Sequence, residues 1–240
     1  MKSRRVALIS IVLVALTAEA KSPDKTKPVC FFSNPMAAGA GISSGLDGKS
    51  HVDFLAERAK PGNRSIQEAY PGYAGNVIID YKSFNENSKK TSAVFALDLF
   101  YWDQFACIES GWDARNAAAI DKLFKLTVKR GIPLIIGNIA KQSAFPKAKV
   151  QGACAEVINQ RIKERCDEVP TRCLLIDNAL ISKKVEDRYA STLAALEPKE
   201  RNQFIREKIT RDGIHPRSEA SEVMADAIEE VIKDSRLECR

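Results

Sequence analysis

Ala93-Val94-Phe95-Ala96-Leu97 and, further along, Leu134-Ile135-Ile136 decide the fold class of this chain. Neither run alternates apolar with polar residues, so neither suits a strand with one wet face. Both suit strands covered on two sides, the arrangement of parallel sheets. Similar short runs occur at Val29-Cys30-Phe31-Phe32, Ser65 to Ala69, Pro133 to Gly137 and Cys173 to Asp177. Helix-period segments separate them. Val52 to Ala59 is short, and Ala155 to Lys163 carries Val157, Ile158 and Ile162. Asn116 to Arg130 sets Ile120, Leu123, Phe124 and Thr127 on one stripe, with Gly131 as a C-terminal stop. Ser218 to Lys233 repeats the pattern with Val223, Ala227, Ile228 and Val231. Alternating strands and helices predict βαβ units, hence an α/β fold: a three-layer α/β/α sandwich with about five parallel strands. In such a sheet, sites form beyond the carboxyl ends of the strands.

The ends of the 240-residue chain frame that domain. Lys2, Arg4 and Arg5 precede an apolar run from Val6 to Leu16, and Ala18-Glu19-Ala20 supplies small residues for cleavage. This reads as a signal peptide over residues 1–20, too short for a membrane span, so export to a periplasm or the exterior is expected. Residues 21–28 form a tether, and residues 29–240 a single domain. Without residues 1–20 the chain holds 34 basic and 30 acidic residues, which lowers the formal charge from +6 to +4. The excess is scattered over helix faces, as in Lys122, Lys125, Lys129 and Arg130, so nucleic acid is not an expected partner. Six cysteines in an exported chain predict disulfides. Cys166 with Cys173 is the best local pair; Cys239 with Cys30 would leave Cys107 with Cys154. Neither a metal site nor a cofactor is expected, because the cysteines are dispersed and only two histidines are present.

Those histidines differ in setting. His51 opens the first helix region and reads as a surface residue near a helix start. His215 lies in Asp212-Gly213-Ile214-His215-Pro216. A carboxylate and an imidazole three apart on one tight turn can meet, and the carboxylate then fixes the ring tautomer and stabilises the imidazolium. Before this turn, residues 178–211 form a charged, helix-prone insertion, read either as an edge helical hairpin or as a lid.

The pattern resembles the SGNH or GDSL hydrolases over Val29 to Ile232. Val29 to Gly41, VCFFSNPMAAGAG, looks like the family's first block of strand, Gly-Asp-Ser and small-residue turn. Pro71-Gly72-Tyr73-Ala74-Gly75 sits where the second block's oxyanion glycine falls. Ala96 to Asp103, ALDLFYWD, occupies the third block, and Pro133 to Asn138 fits the fourth strand. Asp212 to Pro216, followed by an amphipathic helix, is close to the fifth block.

The resemblance implies a flavodoxin-like fold and hydrolysis of acyl or acetyl esters on an envelope glycan or lipid. His215 would be the base and Asp212 its orienter. Asn34, Gly72, Gly75, Trp102 and Asp103 would line the pocket and oxyanion region. Ungapped, however, Ser33-Asn34-Pro35 replaces Gly-Asp-Ser, which puts proline at the nucleophile position and removes a backbone donor. The third-block asparagine is also missing. Two readings stay open: a hydrolase using Ser33 as a displaced nucleophile, or a non-catalytic binding module that keeps the pocket. A weaker third has Asp212 and His215, with Asp98 or Asp103, activating water directly. Gly41-Ile42-Ser43-Ser44-Gly45 matches Gly-x-Ser-x-Gly, but that motif needs a strand before the serine and a helix after it. In a glycine-rich loop it reads as coincidence.

Overall fold

A computed structural model of the chain describes residues 34–39, 48–69, 81–140, 154–210 and 215–237. Its core is one sheet of five parallel strands: β1 (Pro35–Gly39), β2 (Ile66–Ala69), β3 (Ala93–Ala96), β4 (Leu134–Gly137) and β5 (Cys173–Ile176). The spatial order is β2-β1-β3-β4-β5. The chain moves from β1 outward to β2, then returns to place β3 on the other side of β1. That reversal makes the carboxyl ends of β1 and β3 the switch point, where ligands of such sheets bind.

Seven helices are described: α1 (His51–Ala59), α2 (Tyr81–Ser88), α3 (Trp112–Arg130), α4 (Ala155–Glu168), α5 (Asn178–Ala195), α6 (Pro198–Phe204) and α7 (Ser218–Asp234). Alternate strand residues point to opposite faces. Met36, Ala38, Val94, Ala96, Leu134 and Ile136 pack on one side against Phe84 of α2, Ile120, Leu123 and Phe124 of α3, and Ile158 and Ile162 of α4. Ala37, Ala93, Phe95 and Ile135 pack on the other against Val52 and Leu55 of α1, Ile181 of α5, and Ala225, Ile228 and Ile232 of α7. The expected three-layer α/β/α sandwich is the observed architecture.

Four strands fall where the apolar runs put them. The first does not. The sheet's first strand is Pro35–Gly39, and Val29–Phe32 lies outside the described residues. PMAAG has weak strand propensity, but Met36, Ala37 and Ala38 are buried on both faces of the sheet, and small side chains let two helical layers close over them. Pro35 is tolerated because it is the strand's first residue. The backbone N–H and C=O of Asn34 pair with the side-chain hydroxyl and the backbone N–H of Ser92, and its side-chain amide donates to Lys90 O. Lys90 and Ser92 precede β3, so Asn34 sits at the amino edge of the sheet.

Residues 178–210 form a packed helical edge. Ile181 and Val185 of α5 are buried, and a satellite core joins Val185, Tyr189, Phe204, Ile209 and Ala220. After α6, one π turn, Ile205–Ile209, delivers the chain to Thr210. Cys166–Cys173 joins the end of α4 to β5, and Cys107–Cys154 joins the segment after β3 to the start of α4. Both pairs match the expectation; Cys30 and Cys239 lie outside the described residues.

Candidate active site

The described candidate residues lie at the carboxyl edge, on the segments that follow β3 and β4 and on the turn that leads into α7. Thr210 and Pro216 form an antiparallel bridge, and Arg217 N donates to Ile209 O at 2.9 Å. These contacts close the loop of residues 211–215 at its base. His215 is half-buried and Pro216 buried. Asp212 lies outside the described residues, within the loop that this bridge closes. Arg217 Nε also donates to Arg206 O at 2.8 Å, tying the turn to the π segment.

What stands opposite this turn follows from helix packing. The backbone of Gly48 lies so close to Ser218 Oγ that a Cβ there would collide with it, and Gly48 has φ 142°. At the other end of the same helix pair, Arg58 makes ion pairs with Asp226 at 2.5 Å and Glu229 at 2.8 Å. So α1 and α7 lie side by side and run in the same direction, with their first turns level. The connection from Gly39 to Gly48 begins at the carboxyl end of β1 and ends against the first residue of α7, three positions after His215.

The start of α1 is firmly built. Ser50 caps it in a reciprocal capping box with Asp53. Asp53 also accepts from Ser65 N at 2.8 Å and Ser65 Oγ at 2.7 Å. Burial would raise the Asp53 pKa, but these hydrogen bonds from Ser65 and Ser50 outweigh it and hold the carboxyl below its usual value. His51 is not the expected surface residue. It is 1% exposed, neither ring nitrogen has a hydrogen-bond partner among the described residues, and burial depresses its pKa to about 4 despite the opposing pull of Asp53.

An amide cluster closes the sheet beneath β3, β4 and β5. Asn178 Nδ2 donates to Leu97 O and Asn138 O, both at 2.7 Å, while Asn138 Oδ1 accepts from Asn178 N at 2.9 Å. Gly137 makes this possible, since a Cβ there would strike Leu97 O and the Asn178 side chain. Asn178 was not singled out from the sequence; the visible signal was an asparagine following each of two successive strand ends, at 138 and 178.

Beyond β3 the chain turns through Trp102–Phe105, a 3-10 segment. Asp103 and Gln104 are buried beneath it, whereas Tyr101 and Trp102 are half-buried and Phe105 is exposed. Trp112 Nε1 donates to Asp103 O at 3.0 Å and Gln104 Nε2 to Tyr101 O at 2.8 Å, which holds the turn from inside. Tyr101 and Trp102 meet edge to face with centroids 5.0 Å apart, and Phe105 stacks 6.1 Å from each. The segment thus turns its polar members inward and its aromatic ones out, an inversion of the usual preference.

Of the residues expected at the site, His215 and Trp102 stand at the carboxyl edge. Asp103 is there too, but buried under its turn. Asn34 is not: it lies at the amino edge, because the strand follows it rather than precedes it. Ser33, Gly72, Gly75 and Asp212 lie outside the described residues. Ser33 immediately precedes Asn34 in the chain, and Gly72 and Gly75 follow the carboxyl end of β2.

No protein-family model and no curated protein matches the sequence. Solved structures do. An alpha/beta hydrolase enzyme from the metagenome of Lake Arreo, Spain, is 16% identical with a TM-score of 0.51, over 83% of this chain and 94% of that one. A GDSL-like lipase from Bacteroides thetaiotaomicron is 15% identical with a TM-score of 0.49, over 83% of this chain and 87% of that one. At these identities the likeness is one of fold: this chain shares an α/β architecture with the Lake Arreo protein.

Proposed function

We propose that the protein is an exported ester hydrolase of the SGNH type, acting on acyl or acetyl esters of an envelope glycan or lipid. One observation carries the reading: the segment leaving β1 ends, at Gly48, against the first residue of α7, three residues beyond His215. A strand exit and an imidazole turn meeting at a topological switch point are the parts of a nucleophile–base site.

His215 is the general base and Asp212 its orienter. The hydroxyl it activates comes from residues 40–47, where the sequence offers Ser43 and Ser44. Ser33 is displaced from this role because its neighbour Asn34 is at the opposite edge of the sheet. The Gly-x-Ser-x-Gly match at 41–45 regains meaning: it now has strand β1 before it and helix α1 after it. The base takes the hydroxyl proton as oxygen attacks the ester carbonyl, and returns it to the leaving alkoxide. Water then cleaves the acyl-enzyme by the same route. Backbone N–H groups near Gly72 or Gly75 receive the developing oxyanion. Trp102, with Tyr101, offers an aromatic wall for the acyl or sugar portion.

The non-catalytic reading rested on Pro35 at the nucleophile position together with the missing third-block asparagine. Pro35 as the first residue of β1 weakens the first ground; the second stands. The apolar run after Lys2, Arg4 and Arg5, together with disulfides, supports export. Among the described residues no helix is long and apolar enough to cross a membrane.

Labelling with a fluorophosphonate and mass spectrometry of the modified peptide tests the assignment. The expected adduct is on Ser43 or Ser44 and disappears in His215→Ala. An adduct on Ser33, or none at all, refutes it.

A further inference from the structure

The first turns of α1 and α7 hold a second feature that the hydrolase reading does not use. Three contacts set the pairing of these helices: Gly48 with Ser218, and Arg58 with Asp226 and Glu229. Each joins residues about 170 positions apart, so the helices keep one register along their contact. Counted three residues along each chain from Gly48 and Ser218, that register brings His51 level with Ser221. Both are buried, at 1% and 0% exposure, and among the described residues neither imidazole nitrogen nor the Ser221 hydroxyl has a hydrogen-bond partner. A lone buried polar group left unsatisfied carries its full desolvation cost. Two of them level on facing turns are the setting in which a trapped water bridges both.

We propose that His51 is a positioning residue: its imidazole and the Ser221 hydroxyl, joined through one trapped water, fix the spacing of the first turns of α1 and α7. The role in catalysis rests on the hydrolase reading; the joint itself does not. Each turn carries one half of the site. Residues 40–47 enter α1 through Gly48 and the Ser50 cap, and His215 enters α7 through Pro216. A shift between the two turns therefore changes the distance from hydroxyl to base. The neutral imidazole suits this place, since it offers one donor and one acceptor without carrying charge into the core.

Two histidines make the test direct, because 15N-histidine labelling of the mature protein gives only two ring systems. The expected spectrum shows the His51 ring neutral at pH 7, with a slowly exchanging ring N–H whose 15N shifts move in Ser221→Ala. Turnover of p-nitrophenyl acetate is expected to fall about ten- to a hundredfold in kcat for Ser221→Ala and for His51→Leu, with KM little changed. The double variant should lose no more than either single one, and His51→Gln should restore part of the loss. Ring shifts of His51 indifferent to Ser221→Ala overturn the joint whether or not the protein hydrolyses esters. Additive losses, or a loss confined to KM, overturn the positioning role. If the wild type hydrolyses no ester while the His51 shifts still respond to Ser221, the hydrolase reading fails and the joint stands.

Discussion

Acid should destabilise this protein earlier than its carboxylates alone would cause, and His51 is the reason. The imidazole is fully buried, and burial lowers its pKa from 6.5 to about 4, with the Asp53 carboxylate opposing the shift only in part. In the unfolded chain the ring takes a proton near its ordinary value. Between those two values the unfolded state binds a proton that the folded state refuses. Stability is therefore complete above pH 6.5 and declines as pH falls toward 4, at a slope approaching about 1.4 kcal/mol per pH unit. Across the full titration the loss approaches about 3 kcal/mol, a large share of the roughly 5–15 kcal/mol that holds a typical domain together. Asp53 acts in a separate range: its depressed pKa adds stability that is lost only at lower pH, as that carboxyl protonates in the fold. Urea unfolding of wild type and His51→Leu at intervals from pH 7.5 to 4.5 isolates the histidine, because every other group is common to both. The wild-type curve should fall relative to the variant by about 2 kcal/mol between pH 6.5 and 4.5. Parallel curves would refute the assignment of His51 as a buried neutral ring.

Three further outcomes follow from the geometry. Gly137→Ala drives a Cβ into Leu97 O and Asn178 and so disrupts the amide cluster at the carboxyl edge; unfolding in urea should show a loss of about 3 kcal/mol, and wild-type stability would contradict the packing. Replacing both Cys107 and Cys154 with alanine opens a loop of separation 47, against 7 for Cys166–Cys173; the chain-entropy relation gives about 4 kcal/mol for the first and about 2.4 kcal/mol for the second, and a reversed order in thermal melts would reject it. Pro35→Ser should leave esterase activity within about twofold of wild type, because only effects transmitted over a distance reach the site from the first residue of β1; a large gain would return the nucleophile to that position.

How much of this was legible in the sequence depends on what each element is made of. β3 and β4 are runs of valine, phenylalanine, leucine and isoleucine, and they read correctly because burial and propensity point the same way. α3 read correctly, though its start lay four residues early at Trp112, since that turn is set by Gly111 in a left-handed conformation and by the Trp112 indole reaching Asp103 O. α2 went unnoticed: Tyr81–Ser88 is polar, and Phe84 alone is its described buried anchor to the core. β1 was misplaced because Val29-Cys30-Phe31-Phe32 offers a better local strand than Pro-Met-Ala-Ala-Gly. Only its neighbours, pairing with Ile66–Ala69 on one side and Ala93–Phe95 on the other, make the second segment the strand. His51 was misread for a related reason. Nothing local marks a helix-start histidine as buried; that comes from α7, far along the chain.

The misplaced strand matters more than its length suggests, because position along β1 decides which residues leave at the carboxyl edge. With the strand at 29–32, the exit is Ser33-Asn34-Pro35, which puts proline, without a hydroxyl or a backbone donor, at the nucleophile position. With the strand at 35–39, the residues that follow it in sequence are Ala40-Gly41-Ile42-Ser43-Ser44, which supply the hydroxyls the proposed mechanism calls for. The two segments that leave the switch point are also the two whose composition breaks with the apolar runs before them. One is small and glycine-rich, which lets a substrate carbonyl approach the backbone closely. The other, after β3, turns Trp102 and Phe105 outward over a buried Asp103 and Gln104. Under the proposed function, the glycine-rich segment would admit a compact reacting centre and the aromatic segment a larger apolar or ring-shaped portion of the ester. The topology, more than any single motif, is what assigns those two roles to those two segments.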